Sequence, residues 1–276
     1  MQVREALKYG VERLTASSVG SPRMNAEVLL MFTLACDRAY LFAHPERDLT
    51  RDEQLRYEES LSERAAGKPS QYITGHQEFW GMDFIVSPAV LVPRPETEHV
   101  IEVVLPLARE LKHPRIVDVG TGSGCIALAL AKELPDAEIH ATDISEPVLE
   151  IARANAARLG LQAQVQFHHS DLLIESAPAT MDFVVSNPPY VGDSEQVDRE
   201  VFEHEPRSAV FAGTTGAEVF ERLIPQARER LKPHGWLVLE IGYSVYSPVR
   251  ELLRDWNAVT VTNDLQEIAR VIAAQK

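Results

Sequence analysis

The sequence predicts an α/β fold: a doubly wound, largely parallel seven-stranded sheet, preceded by a small helical domain and a β-hairpin connector. The first observation behind it is the run Ile116-Val117-Asp118-Val119-Gly120-Thr121-Gly122-Ser123-Gly124, which leads into the helical stretch Cys125-Ile126-Ala127-Leu128-Ala129-Leu130-Ala131. A strand that enters a glycine-rich turn and then a helix is the opening unit of a doubly wound sheet, whose ligands sit at the carboxyl ends of its strands. The second is that strand and helix patterns alternate five times, with strands near Ile116, Ile139, Val165, Phe183 and Leu237. The third lies at the end of the chain. Strand candidates at 258–262 and 268–272 are joined only by Asn263-Asp264-Leu265-Gln266-Glu267, a link too short for a parallel crossover, so the two must pair antiparallel.

Residues 1–70 read as helices. Val3, Leu7, Val11 and Leu14 recur at helical spacing. Ser21-Pro22 opens a second helix, with Val28, Leu29, Met31, Phe32 and Ala35 as its apolar side. A third opens on the capping box Thr50-Arg51-Asp52-Glu53 and stops at Gly67, ahead of Pro69. This bundle holds no catalytic constellation and reads as a docking or lid domain. Residues 71–93, with aromatic and β-branched runs broken by Gly81 and Ser87-Pro88, read as the hairpin connector. A helix from about Glu98 to Leu111 then leads into the sheet, which occupies the remainder of a domain spanning 94–276.

Bulk composition is that of a soluble globular enzyme: 276 residues, 45% hydrophobic and 25% charged, enough for one large or two modest domains. No apolar run approaches the ~18 residues of a membrane span, and the amino terminus lacks the features of a signal or transit peptide. Cys36 and Cys125 are far apart and form no metal or redox pattern. Two cysteines fit a reducing cytoplasm, the expected location. The nine histidines are scattered, so no metal site is expected. A net charge of −14 argues against nucleic acid as the main partner, because phosphate binding needs Lys/Arg patches.

Chemistry concentrates at the carboxyl ends of the predicted strands. Asn187-Pro188-Pro189-Tyr190 follows the apolar run 181–186. Two prolines stiffen the backbone and free its carbonyls, and they hold the preceding asparagine extended. The asparagine then offers one acceptor and two donors, and Tyr190 adds a flat apolar face. Such a group can grip a planar moiety that carries an NH2; a surface turn is the alternative. In the loop after the first sheet strand, Gly120, Gly122 and Gly124 are spaced G-x-G-x-G, not the G-x-G-x-x-G of a dinucleotide site. Asp143, ending the second strand, suits the two hydroxyls of a ribose. An N-cap role for Asp143 competes, although Ser145 ahead of Glu146-Pro147 is a good cap.

With these residues in view, the chain resembles the class I S-adenosylmethionine-dependent methyltransferases, on DVGTGSG, Asp143, Ser170-Asp171 and NPPY. Val92-Pro93-Arg94-Pro95-Glu96-Thr97-Glu98, Glu205-Pro206-Arg207-Ser208-Ala209-Val210 and Leu239-Glu240-Ile241-Gly242 narrow the likeness to the PrmC/HemK family, the N(5)-glutamine methyltransferases of peptide chain release factors. The resemblance runs from about Gly75 to the carboxyl terminus and more loosely through the helices. It implies a Rossmann-like sheet ending in an antiparallel hairpin. It also implies methyl transfer from S-adenosylmethionine to the glutamine amide of the Gly-Gly-Gln motif in class 1 release factors, with S-adenosylhomocysteine as product.

On that likeness, Asn187 through its side-chain oxygen and Pro188 through its carbonyl take the two amide hydrogens, with Pro189 shaping the turn and Tyr190 stacking on the amide plane. Gly120, Thr121, Gly122, Ser123 and Gly124 lie along the methionine part. Asp118 faces its ammonium or stabilises the turn, Asp143 holds the ribose, Asp171 accepts from the adenine amino group, and Leu172 packs on the ring. The roles of Arg94, Glu96, Glu205, Arg207 and Gly213-Thr214-Thr215-Gly216 stay open between pocket and scaffold. Residues 191–206 carry six acids against one base, which suits a basic protein loop and repels a phosphate backbone; a solvated helix face is the alternative. A monomer is expected, with no stable nucleic-acid partner and no membrane. The rival reading is an N(6)-adenine methyltransferase on DNA or RNA, because NPPY is shared with such enzymes.

Overall fold

In the computed structural model, which describes residues 1–173 and 179–276, the chain forms two units: Met1–His76 with Val197–His204, and Gln77–Gln196 with Glu205–Lys276. The first holds helices Val3–Ala16, Pro22–Leu34, Arg38–Ala43, Arg51–Ala65 and Ser70–Thr74. The capping box is formed: Glu53 N–H donates to Thr50 Oγ1 at 3.2 Å, and Thr50 N–H donates to Glu53 Oε2 at 2.8 Å. Helix Arg38–Ala43, capped by Asp37 Oδ1 on Tyr40 N–H, escapes the sequence pattern because six residues are too few to show a period. Helix Pro22–Leu34 buries Ala26, Leu29 and Leu30, while Phe32, expected on its apolar side, is exposed.

Helix Arg199–His204 belongs to this first unit, which no local pattern foretold. Its anchor is Arg64, a nearly buried guanidinium that donates to Asn25 Oδ1 at 2.8 Å and the Lys68 carbonyl at 3.1 Å, and pairs with Glu200. A buried cation is tolerated only when its donors are satisfied in this way.

The hairpin of β1 (His76–Phe79) and β2 (Met82–Ile85) turns at Trp80 and Gly81, both at positive φ, the geometry that favours two-residue hairpins. The central sheet contains β3 (Arg115–Val119), β4 (Glu138–Asp143), β5 (Val165–His169) and β6 (Met181–Ser186). A short parallel pair, β7 (Val191–Gly192) and β8 (Phe211–Gly213), stands apart, and β9 (Leu231–Glu240), β10 (Asn257–Asn263) and β11 (Ala269–Gln275) complete the sheet. Its order is β10-β11-β9-β6-β3-β4-β5. Strands β5, β4, β3, β6 and β9 are parallel, and β11 pairs antiparallel with both β9 and β10. The seven-stranded expectation therefore holds, including the closing hairpin.

Alternating residues sort two cores onto the two faces of the sheet. Ile116, Phe183, Val185 and Val238 pack under helices Glu98–Ala108 and Cys125–Glu133, while Val117, Val119, Val184, Leu237 and Leu239 pack under Glu218–Arg230 and Tyr246–Leu252. The chain runs β3-β4-β5 in one direction and then returns to place β6 on the other side of β3. The crevice between β3 and β6 is the topological switch point, where such sheets bind ligands. The loop 120–124 and Asn187 both leave the sheet there.

Candidate active site

The loop after β3 is pinned from beneath by Asp118. Thr121 Oγ1 donates to Asp118 Oδ2 at 2.6 Å, and the Ala127 N–H donates to the same oxygen at 3.2 Å, tying strand, loop and helix together. Complete burial pushes the Asp118 carboxyl up to about 7 against those two hydrogen bonds. Its Oδ1 is buried with no hydrogen-bond partner among the described residues. Gly120 and Gly122 take positive φ, 69° and 58°, and a Cβ on either would meet no protein atom within 4 Å. The space that a side chain would enter is open cavity, so these glycines cradle rather than pack.

Asp143, at the end of β4, accepts from the Gly122 N–H at 3.2 Å and the Ser145 N–H at 3.0 Å. Desolvation raises its carboxyl above the ordinary aspartate value. Ser145 occupies the N-cap position of helix Glu146–Arg158 but makes no side-chain cap bond. The expectation that Ser145 relieves Asp143 of turn duty is therefore corrected: Asp143 itself organises the entry. Two hydrogen bonds leave a carboxylate further lone pairs for a ligand. Beside it, Ile144 is 61% exposed and lines the cavity, an apolar wall that the sequence reading passed over.

Asp171 follows β5 and also lines the cavity, but its carboxylate pairs with Arg222 from helix Glu218–Arg230. That partner, 51 residues along the chain, leaves no local signal. Leu172 sits at φ 64°, its carbonyl accepting from Thr142 Oγ1 at 2.7 Å, with its side chain packed on the sheet core.

At the end of β6, Asn187 Nδ2 donates to Thr97 Oγ1 at 3.1 Å, and Thr97 Oγ1 donates to Glu240 Oε2 at 2.6 Å. With Nδ2 so engaged, Oδ1 is the branch left to the cavity that Asn187 lines. Glu240, at the end of β9, is buried, and desolvation pushes its carboxyl up to about 7. Pro188 is buried behind the turn. The Tyr190 ring packs so tightly on Gly242 that a Cβ there would lie 2.6 Å from its Cδ2. A Cβ on Gly216 would lie 2.5 Å from the Tyr190 carbonyl oxygen, so the loop 213–216 seats Tyr190. Burial raises the Tyr190 phenol well above its usual value.

These elements enclose a cavity of about 520 Å³, within the range typical of small-molecule sites. Gly120, Thr121, Gly122, Ser123, Asp143, Asp171, Leu172, Asn187 and Pro189 line it. Asp118, Gly124, Pro188 and Tyr190 do not; they lie behind the lining and support it. For Asp118 this corresponds to the turn-stabilising alternative, with one orphaned oxygen facing an unsatisfied demand. Thr97, Ile144 and Arg222 are lining residues that sequence reasoning gave no part. A buried acid short of a partner, a glycine cradle, an acceptor at Asp143 and apolar walls at Ile144 and Leu172 together fit a cationic adenosyl amino acid.

The acidic stretch 191–206 is less bare than its composition suggests. Glu195 accepts from the Gly192 N–H and from Ser244 Oγ, Glu200 pairs with Arg64, Glu203 pairs with Arg199, and the nearly buried Glu205 pairs with Arg94. Arg94 also lines the cavity, so the pair serves both pocket and scaffold.

Among known proteins, the PrmC N-terminal domain matches residues 5–75 and the methyltransferase small domain matches residues 101–209. A release factor glutamine methyltransferase of Koribacter versatilis is 54% identical, over 100% of this chain and 99% of that protein. Another, of Moorella thermoacetica, is 42% identical over 92% of this chain and 90% of its own. Of solved structures, the hMettl16 catalytic domain in complex with MAT2A 3'UTR hairpin 1 is similar with a TM-score of 0.58 and 19% identity, covering 85% of this chain and 84% of that one. At that identity the likeness is one of fold.

Proposed function

The chain belongs to the release factor glutamine methyltransferase family, and on that premise we propose how its residues divide the work. It is an S-adenosylmethionine-dependent enzyme that methylates the glutamine side-chain amide of release factors, within the Gly-Gly-Gln motif of the class 1 factors. The observation that carries this reading is the near-complete, full-length match to relatives of that activity, with both the amino-terminal and the methyltransferase portions present.

S-adenosylmethionine supplies a sulfonium-activated methyl group. The task of the protein is to bring a poor nucleophile into line, since an amide nitrogen shares its lone pair with the carbonyl. Asn187 Oδ1 accepts one amide hydrogen, with Pro188 behind the lining holding the turn in place, which aims the nitrogen and favours the form that develops in the transition state. No strong base is required, because the nitrogen becomes acidic once alkylated. Tyr190, behind the lining with its ring against Gly242, braces the Asn-Pro-Pro turn. Gly120, Thr121, Gly122 and Ser123 receive the amino-acid portion, on a loop that Asp118 pins from beneath. Asp143 takes the ribose, while Ile144 and Leu172 flank the base. Asp171, held by Arg222, keeps acceptor capacity for an exocyclic amine.

The helical unit at residues 1–70 is assigned to docking of the whole factor, since a methyltransferase for a small molecule needs no such addition. The enzyme acts as a monomer in the cytoplasm, where translation factors are, without a nucleic-acid partner. No helix among the described residues is long and apolar enough to cross a membrane. The test is incubation with methyl-labelled S-adenosylmethionine and either release factor or an adenine-containing oligonucleotide. Label should enter the factor and be lost when its Gly-Gly-Gln glutamine is replaced; label in the oligonucleotide would transfer the assignment to adenine.

A further inference from the structure

Nothing in the transfer step itself uses Thr97 or Glu240. Yet both are almost wholly buried, 2% and 3% exposed, and they are bonded in series to the amide that grips the nucleophile. They arrive from opposite ends of the catalytic unit, Thr97 from the turn Pro95–Thr97 before the sheet and Glu240 from the end of β9. We propose that Thr97 and Glu240 are positioning residues: the carboxylate sets the direction of the Thr97 hydroxyl, and the hydroxyl sets which branch of the Asn187 amide faces the cavity. This rests on the glutamine-amide reading above and deepens it.

The argument is one of proton counting. An asparagine amide can sit in its pocket either way round, with nearly the same shape. A threonine hydroxyl has one proton and can accept with its lone pairs. An ionised Glu240 can only accept, so the proton of Thr97 goes to it across 2.6 Å. Thr97 Oγ1 must then accept from Asn187, which draws Nδ2 inward and leaves Oδ1 to receive a hydrogen from the substrate NH2. A protonated Glu240 can itself donate to Thr97. The hydroxyl proton is then free for Asn187, the oxygen turns inward, and an NH2 group faces an NH2 group. The second arrangement cannot hold the nucleophile.

The charged and titratable groups around Glu240 come from every neighbouring element. Burial, and after it Glu96, favour its neutral form; the Thr97 hydrogen bond, Arg270 and Arg94 favour the ionised one. Burial raises the Tyr190 phenol and the Cys125 thiol, and the Glu240 charge adds to both. The relay is thus balanced within reach of physiological pH, and the productive arrangement belongs to the alkaline side.

The experiment uses the full-length enzyme at saturating S-adenosylmethionine, with whole release factor varied across a pH series. Thr97→Val, which keeps the shape and removes the hydroxyl, should lower kcat by on the order of 100-fold, the cost of a misplaced reacting group. Thr97→Ser should recover most of the rate, and cofactor affinity by calorimetry should stay within a few-fold in both. In the wild type, kcat should fall by roughly tenfold per pH unit below the titration of Glu240, and Glu240→Gln should abolish that acid limb. A purely structural role would lower thermal stability without removing a limb from the pH profile. Thr97→Val turning over as fast as the wild type, or Glu240→Gln retaining the limb, overturns the relay. Should Thr97→Val fail to fold, the pH profile of Glu240→Gln decides. A wild-type enzyme that labels no release factor overturns the reading of the reaction instead.

Discussion

Gly242→Ala is the sharpest probe of how the amide grip is built, because it adds a single methyl group outside the cavity. Gly242 does not take a left-handed φ, so alanine brings no backbone strain, and the whole effect comes from close approach. The added Cβ would stand 2.6 Å from Tyr190 Cδ2 and 2.9 Å from Cε2. Carbon atoms in ordinary contact sit about 3.5–4.0 Å apart, so the ring must retreat by about 1 Å. Its peptide is continuous with Pro189, and Gly216 runs so close to its carbonyl that an added Cβ there would lie 2.5 Å away. Movement therefore passes into the Asn-Pro-Pro turn. A misplacement of about 1 Å at reacting groups costs on the order of 100-fold in rate, and overpacking of this kind costs about 1–3 kcal/mol of stability. Transfer of labelled methyl to release factor should show the loss in kcat. The thermal midpoint should fall by several degrees, and S-adenosylmethionine affinity should hold, since neither Gly242 nor Tyr190 lines the cavity. Gly242→Ala with wild-type turnover would refute the claim that the ring braces the turn.

Four other outcomes are expected. Asn187→Ala should cost about 100- to 1000-fold in kcat, the scale on which loss of one transition-state hydrogen bond acts elsewhere, with cofactor affinity nearly unchanged. Asp143→Ala should weaken cofactor binding by roughly 1–3 kcal/mol in calorimetry; unchanged affinity would leave it as the organiser of its own turn only. Burial raises the Asp118 carboxyl from 3.8 to about 7 in the folded protein, so its stabilisation is fully present below the unfolded value and is lost as pH rises through about 7. The melting temperature of the cofactor-free protein should accordingly decline from pH 5 towards 8, and Asp118→Asn should flatten that decline. Glu200→Gln should lower the melting temperature by a few degrees through its loss to the nearly buried Arg64, rather than slow association with the factor as an exposed acid would.

What the sequence alone determined were features written in short stretches of chain. The strand, glycine turn and helix at 115–133 declare the sheet, because their hydrophobic period and the glycines lie within about 20 residues. The closing antiparallel pair follows from the length of one link, and the capping box at Thr50 from four consecutive residues. The candidate groups Asp143, Asp171 and Asn187 could be named because each ends a predicted strand, and the carboxyl ends of parallel strands meet along one edge.

Tertiary structure decided which of those groups face the cavity and which stand behind it. Asp118 looks like a ligand in the sequence, yet Thr121 and Ala127 draw it beneath the loop. Arg222 reaches Asp171 across 51 residues, and Thr97 reaches Glu240 across 143. Six acids in one stretch suggest an open negative surface, but Arg64 and Arg94, distant in the chain, take up Glu200 and Glu205. The physical reason is the same in each case. Periodicity and turn chemistry depend on neighbours along the chain, whereas the protonation and orientation of a buried polar group depend on partners that folding brings from elsewhere.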